Sequence, residues 1–388
     1  MACSIALVAG EASGDMHGAH LAAAIARVRG DVRFWGAGGP AMRAEGIEIA
    51  ANTTGGGTIG VAESLKTLPA MLVKYLRLRR AVIRRRPDLF VPVDFGAFNI
   101  PLARAAHRNG IEVVYYIPPS SWRRKPRNAD RLKECGGKVV TPFAWSARLL
   151  SEAGLDARFV GHPLVDIVKP TVGRARFLRE LEFTGAQPLV ALLPGSRAHE
   201  VREHLTPMLD AAGIVYRELP GARFVVAAAW RAGEITRRID AASKHAPGLP
   251  PVKVVERRAH DCMAHCDLLI TASGTATLEA AILGAPMLIV YKGTSLMRLE
   301  YVFRRAVLED HIGLPNIVAD RRICPEIIGE QVTGGRLAEE ALRLLSDADS
   351  LARMRSALAE VTTQLGEPGA IERAARAVLQ MGGLESTH

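Results

Sequence analysis

A chain of 388 residues is too long for one compact α/β core and suits two domains of ordinary size. With 48% hydrophobic and 23% charged residues it is globular rather than disordered, and no apolar run reaches the ~18 residues that a membrane-spanning helix needs. The formal net charge of +10 invites an anionic partner, but charge alone does not choose among nucleic acid, anionic lipid and phosphate-bearing substrates.

Ser4-Ile5-Ala6-Leu7-Val8 reads as a strand. It follows no basic stretch, apolar core and cleavage site of a secretory signal, so the expected location is the cytoplasm. A helical pattern near 18–28 and a strand at 33–35 come next. Gly10-Glu11-Ala12-Ser13-Gly14-Asp15-Met16-His17-Gly18 reads as a loop that opens that helix. It is neither the GxGxxG fingerprint nor a P-loop. Its two carboxylates, Glu11 and Asp15, and its Ser13 hydroxyl beside Gly14 suit sugar hydroxyls better than pyrophosphate. A second glycine turn, Gly36-Ala37-Gly38-Gly39-Pro40, follows the second strand.

The segment 61–86 differs in kind. Val61, Leu65, Leu68, Leu72, Leu76 and Ile83 recur at roughly helical spacing, with Pro69 opening or kinking the helix. Lys66, Lys74, Arg77, Arg79, Arg80, Arg84, Arg85 and Arg86 crowd the same stretch. Two readings stay open here: a basic amphipathic helix lying on an anionic membrane surface, or a solvated basic face over an ordinary core stripe. Nucleic acid is not expected, because no aromatic stacking platform or known module accompanies the charge.

Strands at Leu89–Val93 and 112–117 flank a helix near 101–108. Asp94 ends the first of them and projects toward the crevice where open α/β sheets place their reactive groups. There it is suited to take a proton from a hydroxyl, although an aspartate capping the next loop has the same sequence. Past Gly161-His162-Pro163 a second series follows, with strands at Leu189–Leu193, 223–227, 252–255, 268–271 and Met287–Tyr291. Short buried strands alternating with helices imply parallel sheets wound in βαβ units, here in two Rossmann-like domains.

Two turns of the second series suit an anion. Leu189–Leu193 runs into Pro194-Gly195-Ser196-Arg197, where backbone N–H groups approach a phosphate and an arginine grips it. Ser273-Gly274-Thr275 opens a helix at the carboxyl end of its strand, the anion-binding arrangement. Glu279 lies about one turn inside that helix, placed to accept two ribose hydroxyls. Together the turns point to a nucleoside diphosphate. Five scattered cysteines are not a disulfide framework. Cys262 and Cys266, near His260 and His265, lack the paired spacings of structural zinc and read as a short helix on a sheet, so no metal is expected.

These segments, in order and nearly end to end, resemble the lipid-A-disaccharide synthase family. Ala9-Gly10-Glu11-Ala12-Ser13-Gly14-Asp15 resembles its signature, Gly38-Gly39-Pro40-Ala41-Met42 its Ala-Gly-Pro-x-Met turn, and Val93-Asp94 through Phe98-Asn99 its Ile-Asp-x-x-Asp-Phe-Asn segment. Phe159-Val160-Gly161-His162-Pro163 resembles its interdomain motif; Leu192 to Arg197, Ala272 to Glu279 and Leu314-Pro315-Asn316 complete the series.

The resemblance implies a GT-B fold, two Rossmann-like domains facing each other across a cleft. It implies an acceptor-binding domain at 1–165, a UDP-sugar-binding domain at 166–365, and a C-terminal helix and tail at 366–388, which such proteins often pack back on the first domain. The implied reaction is inverting: UDP-diacylglucosamine donates to 2,3-diacylglucosamine 1-phosphate (lipid X), giving a β-1,6-linked disaccharide and UDP. Arg197 with Gly195 and Ser196 then holds donor phosphate, and Asn316 and Glu279 help bind the nucleotide. Asp94 is the base, with Asp15 a second candidate. Glu11 is implied as a further catalytic residue, beside the acceptor, and Ser13, Gly14, Asn99 and Trp122 fall on the acceptor side. No metal or other cofactor is implied. Acylated substrates favour the membrane reading of 61–86, with Leu68, Leu72, Lys74, Leu76, Arg77 and Arg80 toward an anionic leaflet on the cytoplasmic face of the inner membrane. Oligomeric state is not legible.

The series departs from the family at two places. Ala97 replaces the second aspartate of the Asp-x-x-Asp-Phe-Asn segment, and Pro118-Pro119-Ser120-Ser121-Trp122-Arg123-Arg124 keeps one tryptophan of a Ser-Pro-x-x-Trp-Ala-Trp stretch. Both lie on the acceptor side. A relative with another acceptor, a UDP-N-acetylglucosamine 2-epimerase-like enzyme and a non-catalytic nucleotide- or lipid-binding relative remain as alternatives.

Overall fold

The computed structural model describes residues 3–53, 61–119, 121, 123, 129–183, 187–229, 231–245, 248–292 and 311–385, with side chains of 61–70 and 245 left aside. Leu68, Trp122 and Arg124 therefore lie outside what is described. The chain divides into two compact units, Met1–Asp166 with Gln364–His388, and Ile167–Thr363.

The first unit is built on a seven-stranded sheet of order β3-β2-β1-β4-β5-β6-β7. Its strands are β1 Cys3–Ala9, β2 Val32–Gly38, β3 Glu48–Asn52, β4 Leu89–Val93, β5 Tyr115–Tyr116, β6 Lys138–Thr141 and β7 Asp156–Phe159. All pair in parallel. β1 and β4 are apolar runs without alternation, as strands covered on both faces require, and Ile5 through Ala9 are fully buried. Helices α1 Ala12–Val28, α2 Pro40–Ala44, α3 Val61–Arg85, α4 Gly96–Arg108, α5 Ala129–Lys133 and α6 Ala144–Glu152 connect them. The C-terminal helix Ala370–Met381 belongs to this unit. Its first turn is capped by Asp166, whose carboxylate accepts from the N–H groups of Gly369 at 2.6 Å and Ile371 at 2.9 Å.

Four boundaries differ from the sequence reading, each for a physical reason. α1 begins at Ala12, so the signature is mostly helix and not loop. β2 runs through Gly36-Ala37-Gly38, because a Cβ at Gly36 would stand 1.7 Å from the Leu7 carbonyl oxygen. The glycine admits close strand approach and makes no turn there. α4 begins at Gly96, with Pro101 inside it. The expected strand 112–117 keeps two residues in β5 and an isolated bridge from Val113 to Phe90.

α3 also departs from the expected stripe. Its described core residues are Leu78 and Val82, which pack with Met71 and Tyr75 on the first unit's core. Leu72, Val73 and Leu76 are instead 56%, 47% and 38% exposed. Lys74 donates to the Asn52 carbonyl at 2.8 Å, so its ammonium is tied to β3. No helix among the described residues is long and apolar enough to cross a membrane.

The second unit carries a six-stranded parallel sheet of order β10-β9-β8-β11-β12-β13. Its strands are β8 Leu189–Leu193, β9 Arg223–Ala228, β10 Val252–Glu256, β11 Leu268–Ala272, β12 Met287–Tyr291 and β13 Glu326–Ile328. After the short α7 Leu164–Ile167, which ends at the division, the helices that bear on the site are α8 Arg174–Glu180, α9 Ala198–Glu218, α10 Ala232–His245, α11 Ala259–His265 and α12 Thr275–Ile282. In both sheets the order reverses beside the first strand of the series, β1 or β8. That reversal opens a crevice at the carboxyl ends of the strands.

Candidate functional site

In the first unit the chain turns sharply after β4. Asp94 and Phe95 both have positive φ, 46° and 50°, a conformation that costs a non-glycine residue of order 1–3 kcal/mol and needs surrounding contacts to hold it. Those contacts are present. The Asn99 amide nitrogen lies 3.0 to 3.1 Å from the carbonyl oxygens of Val8, Val93 and Asp94, and the Tyr115 hydroxyl donates to Asp94 O at 2.8 Å. Phe95 folds over Gly10, where a Cβ would meet its ring carbon at 2.2 Å. The signature glycine is thus required by the turn that presents Asp94.

Asp94 has accessible surface, yet the protein around it still desolvates its charge. That burial, followed by the negative charge of Glu11, raises the carboxyl to about 6, against one backbone hydrogen bond from Phe95 that favours ionisation. A carboxyl so poised accepts a proton efficiently near neutrality. Glu11 stands exposed at the start of α1.

Two expected members of this site have other tasks. Asp15 is 2% exposed, and its carboxylate accepts from the N–H groups of Gly39, Ala41 and Met42 at 2.6, 2.9 and 3.1 Å. It caps α2 and fastens the backbone from Gly39 to Met42, so it is not a second base. Asn99 is fully buried and bonds backbone, so it shapes the Asp94 turn and does not face an acceptor. Gly14 is buried against β1 and β4, and Ser13 is half-buried in the first turn of α1. No motif signals the pairing of His17 and His162, whose rings lie 6.3 Å apart edge to face. Burial lowers their pKa values to about 4 and about 3, so both are neutral at pH 7.

In the second unit β8 delivers Gly195, with φ 119°, Ser196 and Arg197 to the start of α9. A residue absent from the sequence reading organises this turn. The Glu200 carboxylate accepts from Ser196 N at 2.9 Å, Arg197 N at 3.1 Å and Arg197 Nη1 at 3.0 Å. Its place three residues after the helix cap is the spacing of a reciprocal capping carboxylate, which was legible. A Cβ on Gly195 would lie 2.5 Å from Glu200 Cβ, so glycine is needed for this closure. Buried His204 braces the turn, with Nδ1 3.0 Å from Pro194 O and Nε2 accepting from Lys292 N at 2.9 Å.

β11 delivers the second turn. Ser273 Oγ donates to Ile312 O at 2.8 Å, and Thr277 Oγ1 donates to Gly274 O at 2.7 Å. Glu279, inside α12, has Oε2 3.5 Å from His260 Nε2. β8 and β11 are neighbours, so both turns stand side by side at the carboxyl edge of one sheet. The expectation for Asn316 is corrected. It is fully buried, donates to Cys324 O and Glu326 Oε1 at 2.8 Å each, and accepts from Ile323 N and Cys324 N at 2.9 and 2.8 Å. With no bonding capacity left, its side chain holds the segment before β13 and does not reach a nucleotide. Among the described residues no group of three or more His, Cys, Asp or Glu is placed to hold a metal.

A family model described as lipid-A-disaccharide synthetase matches residues 5–381. A lipid-A-disaccharide synthase of Geobacter sulfurreducens is 36% identical over 381 residues, 98% of this chain and 97% of that one. The structure of a UDP-GlcNAc 2-epimerase from Neisseria meningitidis bound to UDP-GlcNAc is similar with a TM-score of 0.60 and 13% identity, over 97% of this chain and 98% of that one. The glycotransferase of kitacinnamycin is similar with a TM-score of 0.60 and 18% identity, over 98% and 99%. These two structures speak for the fold, that of two-Rossmann-domain GT-B proteins, and for nothing finer.

Proposed function

The chain belongs to the lipid-A-disaccharide synthase family and is a hexosyltransferase, and from that premise we propose that it moves 2,3-diacylglucosamine from its UDP donor to 2,3-diacylglucosamine 1-phosphate. The β-1,6-linked disaccharide and UDP are the products, and the anomeric configuration inverts. The observation that carries the acceptor half is Asp94, held in a strained turn by Asn99 and Tyr115 with its carboxyl raised to about 6.

In this reading the acceptor hydroxyl gives its proton to Asp94 as its oxygen attacks the anomeric carbon, and the bond to the diphosphate breaks. The negative charge that grows on the diphosphate is met by the Arg197 guanidinium and by the start of α12 at Thr275. Glu279 receives the ribose. Donors already in place on the protein supply the charge stabilisation that a metal ion supplies elsewhere, so the proposed reaction is metal-independent. Both substrates carry acyl chains. The exposed Leu72, Val73 and Leu76 beside Arg77 and Arg80 on α3 support peripheral docking on an anionic membrane surface, the cytoplasmic face of the inner membrane.

The test is UDP release from UDP-diacylglucosamine in detergent micelles containing EDTA, with and without lipid X. Release that requires lipid X and persists in EDTA is the expected result. Release of UDP together with a free sugar, independent of lipid X, supports the epimerase-like alternative. Donor binding without stimulation by lipid X keeps the donor and replaces the acceptor, in line with Ala97.

A further inference from the structure

His260 sits beside Cys262, Cys266 and His265 in sequence, and in the structure its ring faces Glu279. It occupies the second position of α11, with Nε2 3.5 Å from Glu279 Oε2 on α12 and a hydrogen bond to the backbone of Lys169. The next residue anchors the same corner. Asp261 is fully buried, accepts from Thr171 N and Thr171 Oγ1 at 2.6 Å each, and pairs with Arg258 at 2.8 Å. α11 is thereby fastened to 169–172, and His260 inherits a fixed position. Both side chains of the His260–Glu279 pair are partly shielded, 29% and 19% exposed, which is enough for orientation to matter and too little for free rotation.

A carboxylate that receives two adjacent ribose hydroxyls must present its oxygens at one angle. A glutamate left to itself spends conformational entropy to do so. His260 removes that freedom in advance, which is preorganisation of a binding group. We propose that His260 is a positioning residue for the donor: by holding one oxygen of Glu279 it fixes the carboxylate in the orientation that receives the ribose hydroxyls of a uridine diphosphate. This inference rests on the reading of Glu279 as the ribose ligand.

The experiment measures dissociation constants of UDP and 2′-deoxy-UDP by calorimetry on the full chain. The variants are His260→Ala, His260→Gln, Glu279→Gln and the double variant His260→Ala/Glu279→Gln, with thermal unfolding recorded for each. His260→Ala weakens UDP by roughly 3- to 10-fold, the net worth of one hydrogen bond, and weakens 2′-deoxy-UDP distinctly less. His260→Gln, which keeps an N–H donor, recovers part of the loss. kcat at saturating donor is unchanged, and the double variant is no weaker than Glu279→Gln alone. Equal losses for the two nucleotides, or no loss in His260→Ala where Glu279→Gln is weakened, overturn the positioning role and leave Glu279 as the ribose ligand. If Glu279→Gln binds both nucleotides as the wild type does, the ribose reading itself fails and takes this inference with it.

Discussion

Asp15 and Asp94 stand at the carboxyl edge of the same sheet, after neighbouring strands, and the protein treats them in opposite ways. Asp15 receives three backbone N–H groups; Asp94 receives one and is pushed up to about 6 by burial and by Glu11. Three donors satisfy a carboxylate and remove it from chemistry, whereas desolvation with one donor leaves it seeking a proton. The two units show a related contrast. The first isolates a carboxylate, and the second sets the Arg197 guanidinium and the start of α12 on two adjacent turns, with Glu200 ordering one and His260 steadying Glu279 beside the other. One arrangement suits taking a proton, and the other suits receiving the anion that departs.

The largest expected effect on the second side of this contrast comes from Arg197. Arg197→Ala lowers kcat by about 10²–10³-fold, as loss of one charge-stabilising donor does elsewhere, and Arg197→Lys recovers little because an ammonium lacks the planar fork. Steady-state kinetics in micelles decides it, and full activity in the lysine variant would remove the bidentate grip from the account. On the first side, kcat/KM follows the ionised fraction of Asp94. Because the folded carboxyl is raised to about 6, the rate falls about tenfold per pH unit below that value and levels off above it. A profile flat down to pH 4.5 would mean that another group takes the proton.

Asp15→Asn sharpens the comparison within one sheet. It costs about 1–3 kcal/mol of stability in urea unfolding, since a buried N–H is left facing an amide, with kcat of the folded enzyme kept within a few-fold. The reverse pattern, lost turnover at unchanged stability, would return Asp15 to the chemistry. The smallest effect belongs to α3. Replacing Leu72, Val73 and Leu76 together by Ser reduces sedimentation with anionic vesicles several-fold, while vesicles of neutral lipid, which bind the parent weakly, show little change. Equal binding of parent and variant would assign this surface to something other than lipid.

Much of this was legible in the sequence, and the part that was not has a common cause. β8 and β12 are unbroken apolar runs, and such runs state their own limits. The order of the motifs from Gly10 to Asn316 was enough to bring out the family. Side-chain direction was not legible. Asp15 looks like a site residue because it sits in a glycine-rich segment, and Asn99 and Asn316 because the family resemblance implies it, yet each turns inward to bond backbone groups that would otherwise be left unpaired. The exposed face of α3 was hidden for a similar reason. Its apolar residues fit a helical period, but period does not say which face the sheet covers, and Leu78 and Val82 took the core in place of Leu72 and Leu76. Glu200 lay in plain view at a capping spacing. The pairing of His260 with Glu279 needed the fold.

The role of Asp94 is tested most directly by Asp94→Asn, an isosteric change that removes the base and keeps the turn. Turnover of UDP-diacylglucosamine with lipid X and the UDP dissociation constant are measured on the same preparation. The expected result is a kcat about 10²–10⁴-fold lower at an unchanged UDP dissociation constant. Turnover within a few-fold of the wild type would contradict it, and so would a loss of UDP affinity that matches the loss in rate.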